Sequence, residues 1–507
     1  MTARTWAVAL TGAVGELVEV EADQSNQTPE FKIIGLADKA LAESASRVHN
    51  ACVNSGLELP RRRLTVNLSP ANLPKHGSGF DLAVALASLA TGIAFDAASL
   101  AATVHVGELG LDGRLRPVPG VLPAAVAAAR AGFTRIVVPA ANAAEAALVR
   151  GLEVTGAVCL AEVARLHGVD IEVPAQEPVT LEDAADDDDP RFELSDVIGQ
   201  REAVEALVVA AAGGHHMSMC GPPGAGKTML ARRLPGILPD LDEHAALAVA
   251  SIRSLAGRRV SSLTRVPPFE APHHSASVAA LVGGGSRVLR PGAIARASEG
   301  VLFLDEAGEF AASALDALRQ PLETGTITIH RSGAVAEFPA RCQLILATNP
   351  CPCGEYGLRG GRCECAPAAI RRYRGRLSGP LMDRIDIDLT LSRVVHVDAV
   401  GGAGPLSTAA ARAQVAAARE RAARRLSSTP WRHNAQVAGA WLREGPHAPR
   451  PIVRRALDAA LQRGAITLRG FDRVLRVAWT IADLDGAPAL EPAHIGRALF
   501  LKKGLLA

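Results

Sequence analysis

No apolar run in this sequence is long enough to cross a bilayer. The longest, around "LAVALASLATGIAF" (82–95), falls short of the roughly 20 residues a spanning helix needs. The start, "MTARTWAVALTGAVGELVEVEA", lacks the basic end and cleavage site of a signal peptide. These absences predict a soluble cytoplasmic protein with no membrane partner. Charge of one sign is also missing: 54 Lys and Arg against 52 Asp and Glu leave a net +2. Nothing global therefore calls for a polyanionic partner, and nucleic-acid contacts must come from local patches. Aromatics are only 3% of residues, which follows the alanine- and arginine-rich composition rather than a function. Cysteine is sparse as well, with 8 in 507 residues, so a disulfide scaffold is excluded. In a reducing compartment, closely spaced cysteines favour metal binding or catalysis. No internal repeat is visible.

What is present points to several ordinary cores. The chain is too long for one domain, and 48% hydrophobic with 21% charged residues can bury more than one. The clearest boundary is "EVPAQEPVTLEDAADDDDPRFE", a proline-containing acidic linker over 172–193 that cannot offset its ordering entropy by burial. Before it, over 1–171, "RLTVNL" and "RIVVPA" read as strands, while "FDLAVALASLAT" and "GVLPAAVAAARAG" read as helices. After it, over 194–397, "HMSMC", "VLFLDE" and "QLILATN" are short apolar runs separated by helical segments, the pattern of a buried parallel sheet. From 398 to 507 only helices are predicted. The fold class is thus α/β, multidomain, with a helical C-terminal part.

"GPPGAGKT" supplies the first chemistry. Gly221, Pro222, Pro223, Gly224, Ala225, Gly226, Lys227 and Thr228 complete a P-loop between an apolar strand and a helix. The glycines let backbone N–H groups curl around phosphate oxygens at a helix N-terminus. Lys227 is placed for the β- and γ-phosphates of ATP, and Thr228 for Mg2+. "GVLFLDEAGEF" then delivers Asp305 and Glu306 to the carboxyl end of a buried strand, where open α/β sheets bind ligands. Asp305 suits the magnesium and Glu306 suits polarising a lytic water. Asn349 ends a third strand, either to orient that water or sense the γ-phosphate, or simply to cap its loop. Arg384, in "GPLMDRIDIDL", fits an arginine finger or a surface ion-pair cluster. Arg469 opens a late helix and is a further candidate for the nucleotide, with Arg473 and Arg476 as alternatives.

Four cysteines fall in the insertion 351–365: Cys351 and Cys353, then Cys363 and Cys365. Two Cys-x-Cys pairs around a glycine-rich loop can close on one structural Zn2+, with reduced surface thiols or a redox switch as the other readings. Four thiolates would leave no open position for catalysis. Basic clusters that can meet phosphate are His330 and Arg331 in the hairpin-like "TITIHRSGAVAEF", "IRRYRGR" with Tyr373 able to stack, and "RRR" at 61–63; a solvated face explains any one of them equally. His273 and His274 in "APHHSAS" lack a third ligand and fit a pore or interface loop better than a metal.

The order GPPGAGKT, LFLDE, ATNP, GPLMDRID and a late helix opened by arginine resembles an AAA+ ATPase. More narrowly, "DVIGQREAVEALVVAAAGGHHMSMCGPPGAGKTML" and "APHHSAS…GGG…RPGAIARASEGVLFLDEAGEF" resemble magnesium chelatase-like proteins of the ComM/YifB type, as do "IIGLADKALAESASRVHNA" and "RRRLTVNLSPANLPKHGSGFDLAVAL". The resemblance implies a ribosomal-S5-domain-2/Lon-protease-like N-terminal domain, an AAA+ core and a helical lid. It also implies a hexameric ring with Arg384 reaching a neighbour's nucleotide, the 326–338 hairpin in the pore, and branch migration or helicase activity on branched or single-stranded DNA in recombination or natural transformation. A chelatase-like subunit or a protein-remodelling chaperone is the alternative. Lon-type proteolysis is not expected, because Ser78 is displaced by one position and "GVLPAAVAAA" lacks the lysine base.

Overall fold

The computed structural model describes residues 2–35, 41, 43–180, 192–285, 289–331, 334–357, 361–393 and 405–503. Most of the acidic run (181–191), the hairpin tip (332–333) and the expected boundary at 398 lie outside them. Among the described residues, no helix is long and apolar enough to cross a membrane.

The N-terminal part is built on a seven-stranded mixed sheet. Its order is Phe31–Ile34, Arg63–Ser69, Val14–Ser25, Ala3–Thr11, Thr103–His105, Arg135–Pro139, Glu153–Ala157. Alternation sets its faces: in Arg63–Ser69, Leu64, Val66 and Leu68 are buried and their neighbours less so. Helix Asp81–Leu89 is buried on every side, which is why its sequence is apolar all round. Its first residue, Asp81, is compensated by Arg47 at 2.7 Å and by the Ser44 hydroxyl.

The central part carries a five-stranded parallel sheet in the order Phe269–Glu270, Val301–Leu304, Gln343–Thr348, Met217–Cys220, Ile387–Thr390. All six residues of Gln343–Thr348 and all four of Val301–Leu304 are buried, so these strands read as continuous apolar runs rather than alternating ones. Because every strand runs the same way, their carboxyl ends share one edge. An antiparallel hairpin, Thr326–Arg331 with Ala334–Pro339, stands beside this sheet and buries Ile327, Ala336 and Phe338 against Ile252 and Ala295.

Helices Thr408–Arg425, Gly439–Glu444, Pro451–Gln462, Leu468–Asp485 and Pro492–Lys503 follow. Ser407 and Thr467 cap two of them by accepting from Ala410 N (3.2 Å) and Gly470 N (3.1 Å). Their apolar faces join the sheet's own core: Val415, Val474 and Leu475 cluster with Met217 and Ile345. Burial of each such side chain contributes about 1.5–3 kcal/mol. The N-terminal part seats on helix Glu243–Leu255, where Gly120 N donates to Ser254 O at 3.1 Å. At Gly12 (φ 67°) its first hairpin turn touches the second hairpin so closely that a Cβ would lie 2.1 Å from Glu337 O.

Candidate functional site

Three adjacent strands deliver the polar residues to one edge. Cys220 pairs with Thr348 and Leu304 with Leu346, so the P-loop, Asp305 and Asn349 leave the sheet side by side. Gly224 (φ 79°) and Gly226 (φ 86°) take left-handed conformations that bend the loop into helix Lys227–Ala231. Lys227 folds back over it: Nζ donates to Gly221 O (2.6 Å), Pro222 O (2.9 Å) and Asn349 Oδ1 (3.0 Å). Burial pushes the Lys227 ammonium below its ordinary pKa, while Asp305 nearby opposes the shift. Thr228 Oγ1 donates to Asp305 Oδ2 at 2.7 Å, putting the two expected magnesium ligands in contact. An alcohol beside a carboxylate, next to a lysine and backbone amides, is a donor set that fits Mg2+ bound with phosphate oxygens.

Glu306 sits at φ 50°, ψ 43°, a left-handed conformation costly for a residue with a Cβ. Its carboxylate meets His274 Nδ1 at 3.1 Å. The histidine loop, read from sequence as a pore or interface loop, thus reaches the site. It follows strand Phe269–Glu270, which pairs in parallel with Val301–Leu304 and points its exit at the same edge. Two residues are too few to show a period, so that strand gave no signal in the sequence.

Arg384 lies elsewhere. It precedes Ile387–Thr390, whose Ile387 pairs with Met217, so it stands at the amino end of the sheet, away from its own P-loop. Its guanidinium pairs with Glu323 and donates to Pro380 O at 2.7 Å. Arg469 is exposed, with Nη1 3.8 Å from Asp383, at this same far end. The alternatives Arg473 and Arg476 are corrected: Arg473 is held by Asp386 and by Arg384 O (2.8 Å), and Arg476 is half-buried with Nε on Val437 O (2.8 Å). Neither is free to meet a nucleotide. Tyr373 is corrected too: it is buried against Gly308 and offers no face to a base.

Of the other basic residues, His330 is exposed, and the Arg331 side chain lies outside the described residues. Arg63 pairs with Glu30 at 3.1 Å, while Arg376 is tied to Gly308 O and Glu309. Ser78 donates to Glu108, and Lys75, fully buried, donates to Leu68 O (3.0 Å) and Pro70 O. That serine faces an acid, and this lysine is spent on carbonyls.

The four cysteines of the insertion do converge, their sulfurs all within 4.8 Å of one another. A tetrathiolate set of this size fits one tetrahedral soft cation.

Residues 193–399 match the family described as "Magnesium chelatase, subunit ChlI", 20–142 match "Subunit ChlI of Mg-chelatase", and 405–502 match "Magnesium chelatase, subunit ChlI C-terminal". An uncharacterized protein of Mycobacterium tuberculosis is 48% identical over 99% of this chain and 98% of its own. The competence protein ComM of Haemophilus influenzae is 39% identical over 96% of this chain and 95% of its own. The YifB protein of Escherichia coli is 38% identical over 95% and 93% respectively.

Proposed function

We propose, from the premise that the chain belongs to the magnesium chelatase-like ComM/YifB family of AAA+ ATPases, that it is a cytoplasmic ATP-driven motor that remodels branched or single-stranded DNA. The observation that carries the ATPase half is the convergence of Lys227, Thr228, Asp305, Glu306 and Asn349 on one sheet edge. In this reading the P-loop amides and Lys227 hold the β- and γ-phosphates, and Thr228 and Asp305 hold Mg2+, which neutralises charge developing on the transferred phosphoryl group. Glu306 aligns and polarises the attacking water, and its own backbone N–H donates to Asp305 Oδ1 at 2.9 Å, locking the two acids in register. Asn349 links the lysine to the strand end and orients the water or the γ-phosphate.

Reach supports a ring, hexameric in this reading. Arg384 is at the opposite end of the sheet from its own P-loop, so it meets ATP only when another copy presents one. The basic hairpin carrying His330 and Arg331 then lines the channel and meets DNA phosphates. Helices 405–503 act as the lid, and the N-terminal part braces the hairpin through Gly12. Similarity to a competence protein over nearly the whole chain favours DNA as the substrate.

The magnesium chelatase family matches favour a second reading, an ATP-driven subunit serving metal insertion. Strand exchange on a four-way junction separates the two. Wild type is expected to migrate the branch with DNA-stimulated, salt-sensitive ATP hydrolysis, and Lys227→Ala to lose both activities by at least ~100-fold. ATP hydrolysis indifferent to DNA moves the assignment to the second reading.

A further inference from the structure

Over residues 350–357 the chain leaving Asn349 turns back on the nucleotide loop, and the two cysteine pairs come together beside it. We propose that Cys351, Cys353, Cys363 and Cys365 bind one zinc ion as a tetrathiolate, and that the closed knuckle is a rigid prop for the P-loop. The second half rests on the nucleotide reading above; the metal half does not.

The sulfur geometry argues for a shared cation. Cys351 lies 3.3 Å from Cys353 and 3.7 Å from Cys363, and Cys353 lies 3.7 Å from Cys363. A disulfide needs about 2.05 Å, so no pair here is bonded. Four Zn–S bonds of about 2.3 Å in a tetrahedron set their sulfurs about 3.8 Å apart, which is nearly this spacing. Cys351 is fully buried, and Tyr356 N donates to its Sγ at 3.4 Å, the bond an anionic sulfur ligand attracts. Among the described residues no carboxylate joins the cluster, and an all-sulfur set disfavours Mg2+ and Ca2+. Cys-x-Cys is a tight bite, and the backbone meets it with a turn: Gly354 (φ 80°) donates to Cys351 O at 3.0 Å.

The same turn makes contact with the P-loop. A Cβ on Gly354 would lie 2.4 Å from Pro223 Cδ, so only glycine lets the knuckle seat there. Arg393 ties the pair together, with Nη2 on Glu355 at 2.8 Å and Nε 3.3 Å from Pro223 O. Arg374 fastens the knuckle's other side, donating to Pro350 O at 3.1 Å and stacking 5.1 Å over Tyr356. A loop without regular secondary structure becomes stiff when an ion crosslinks its ends, because the binding free energy of the metal is ordering free energy of the chain. A stiff knuckle pre-organises the proline-flanked loop whose amides receive phosphate.

The test starts with metal. Full-length protein purified without added metal is expected to carry about one zinc per chain, with four sulfur scatterers at ~2.3 Å by X-ray absorption at the zinc edge. Cys363→Ser is expected to lose most of it, and Cys365→His, which supplies another zinc ligand, to keep it. Wild type without zinc, zinc unchanged in Cys363→Ser, or iron in its place overturns the site. Titration of a fluorescent ATP analogue reads the prop. Arg393→Ala is expected to keep its zinc and its melting temperature while binding the analogue roughly threefold to tenfold more weakly, and Cys363→Ser to weaken it at least as much. Full affinity in zinc-loaded Arg393→Ala overturns the prop and leaves the metal site standing, even if Cys363→Ser fails to fold. Wild type that binds zinc but no nucleotide overturns the nucleotide reading and the prop together, with the metal site intact.

Discussion

The two ends of the parallel sheet handle charge in opposite ways. At the carboxyl end, Lys227 is held by Asn349 and loop carbonyls and Asp305 by Thr228, while the acids stay open: the Glu306 side chain is 53% exposed. At the amino end, His215 and Asp386 lie just before two strands and Gln343 starts the strand next to them, and His215 and Asp386 are closed into a buried network. Asp386 is 1% exposed and is met by His215 Nδ1 at 3.1 Å and by Arg473. His215 passes the network to Thr480 at 2.7 Å, and Asn434 carries it on to Thr480 (3.0 Å) and Asp483 (2.8 Å). Arg425 completes it, bonded to Asp483 and lying 4.2 Å over Trp479. One end keeps its partners exchangeable so that a ligand can replace them; the other stitches the helical part to the sheet. A buried network gains little over apolar packing, but losing one member strands the rest.

Substitutions at the two ends should therefore fail in different ways. The largest effect is expected for Glu306→Gln, which removes the carboxylate proposed to activate the water and keeps the shape. ATP turnover should fall by at least ~100-fold, with nucleotide affinity and melting temperature close to wild type. Weakened binding instead would mean that Glu306 holds the nucleotide rather than the water.

At the closed end the loss should be of stability. Asp386→Asn is expected to cost about 3–5 kcal/mol in chemical denaturation, because Arg473 and His215 lose their anion. Burial alone would push the Asp386 carboxyl up, but Arg473, His215 and Arg476 override it and hold it well below its ordinary value of 3.8. The folded state therefore releases this proton more readily than the unfolded chain does. Its stabilising contribution is complete above pH 3.8 and fades as pH falls toward the depressed folded value. Asp386→Asn should show a flatter acid limb of stability than wild type; an equal slope would mean that other carboxylates govern the acid transition.

The contrast also explains what could be read in advance. The open end was legible because a P-loop is contiguous and because Asp305 with Glu306, and Asn349, each follow a short buried apolar run. The closed end was not: Asp386 and His215 are 171 residues apart, and Asp386 reads in sequence as one more acid in "DRIDID". The same blindness made Arg473 and Arg476 look available for a nucleotide, since burial of a cation is decided by tertiary partners. His274 escaped for a different reason, resting on a two-residue strand with no pattern of its own. Gly354 was visible only as one glycine among several, and its contact with Pro223 depends on how the knuckle folds back.

His274 offers the finest test, because it belongs to the open end yet only touches Glu306. If it holds that carboxylate toward the water, His274→Ala should lower kcat roughly threefold to tenfold and leave KM and melting temperature near wild type. A rise in KM alone would place the histidine against the nucleotide instead. In the double variant with Glu306→Gln the histidine has no anion left to orient, so its loss should add almost nothing to the damage already done. Residues that act through one another are non-additive in this way. Full additivity would mean that His274 acts on the reaction independently, and the open end would then contain one more working group than its contacts with Glu306 require.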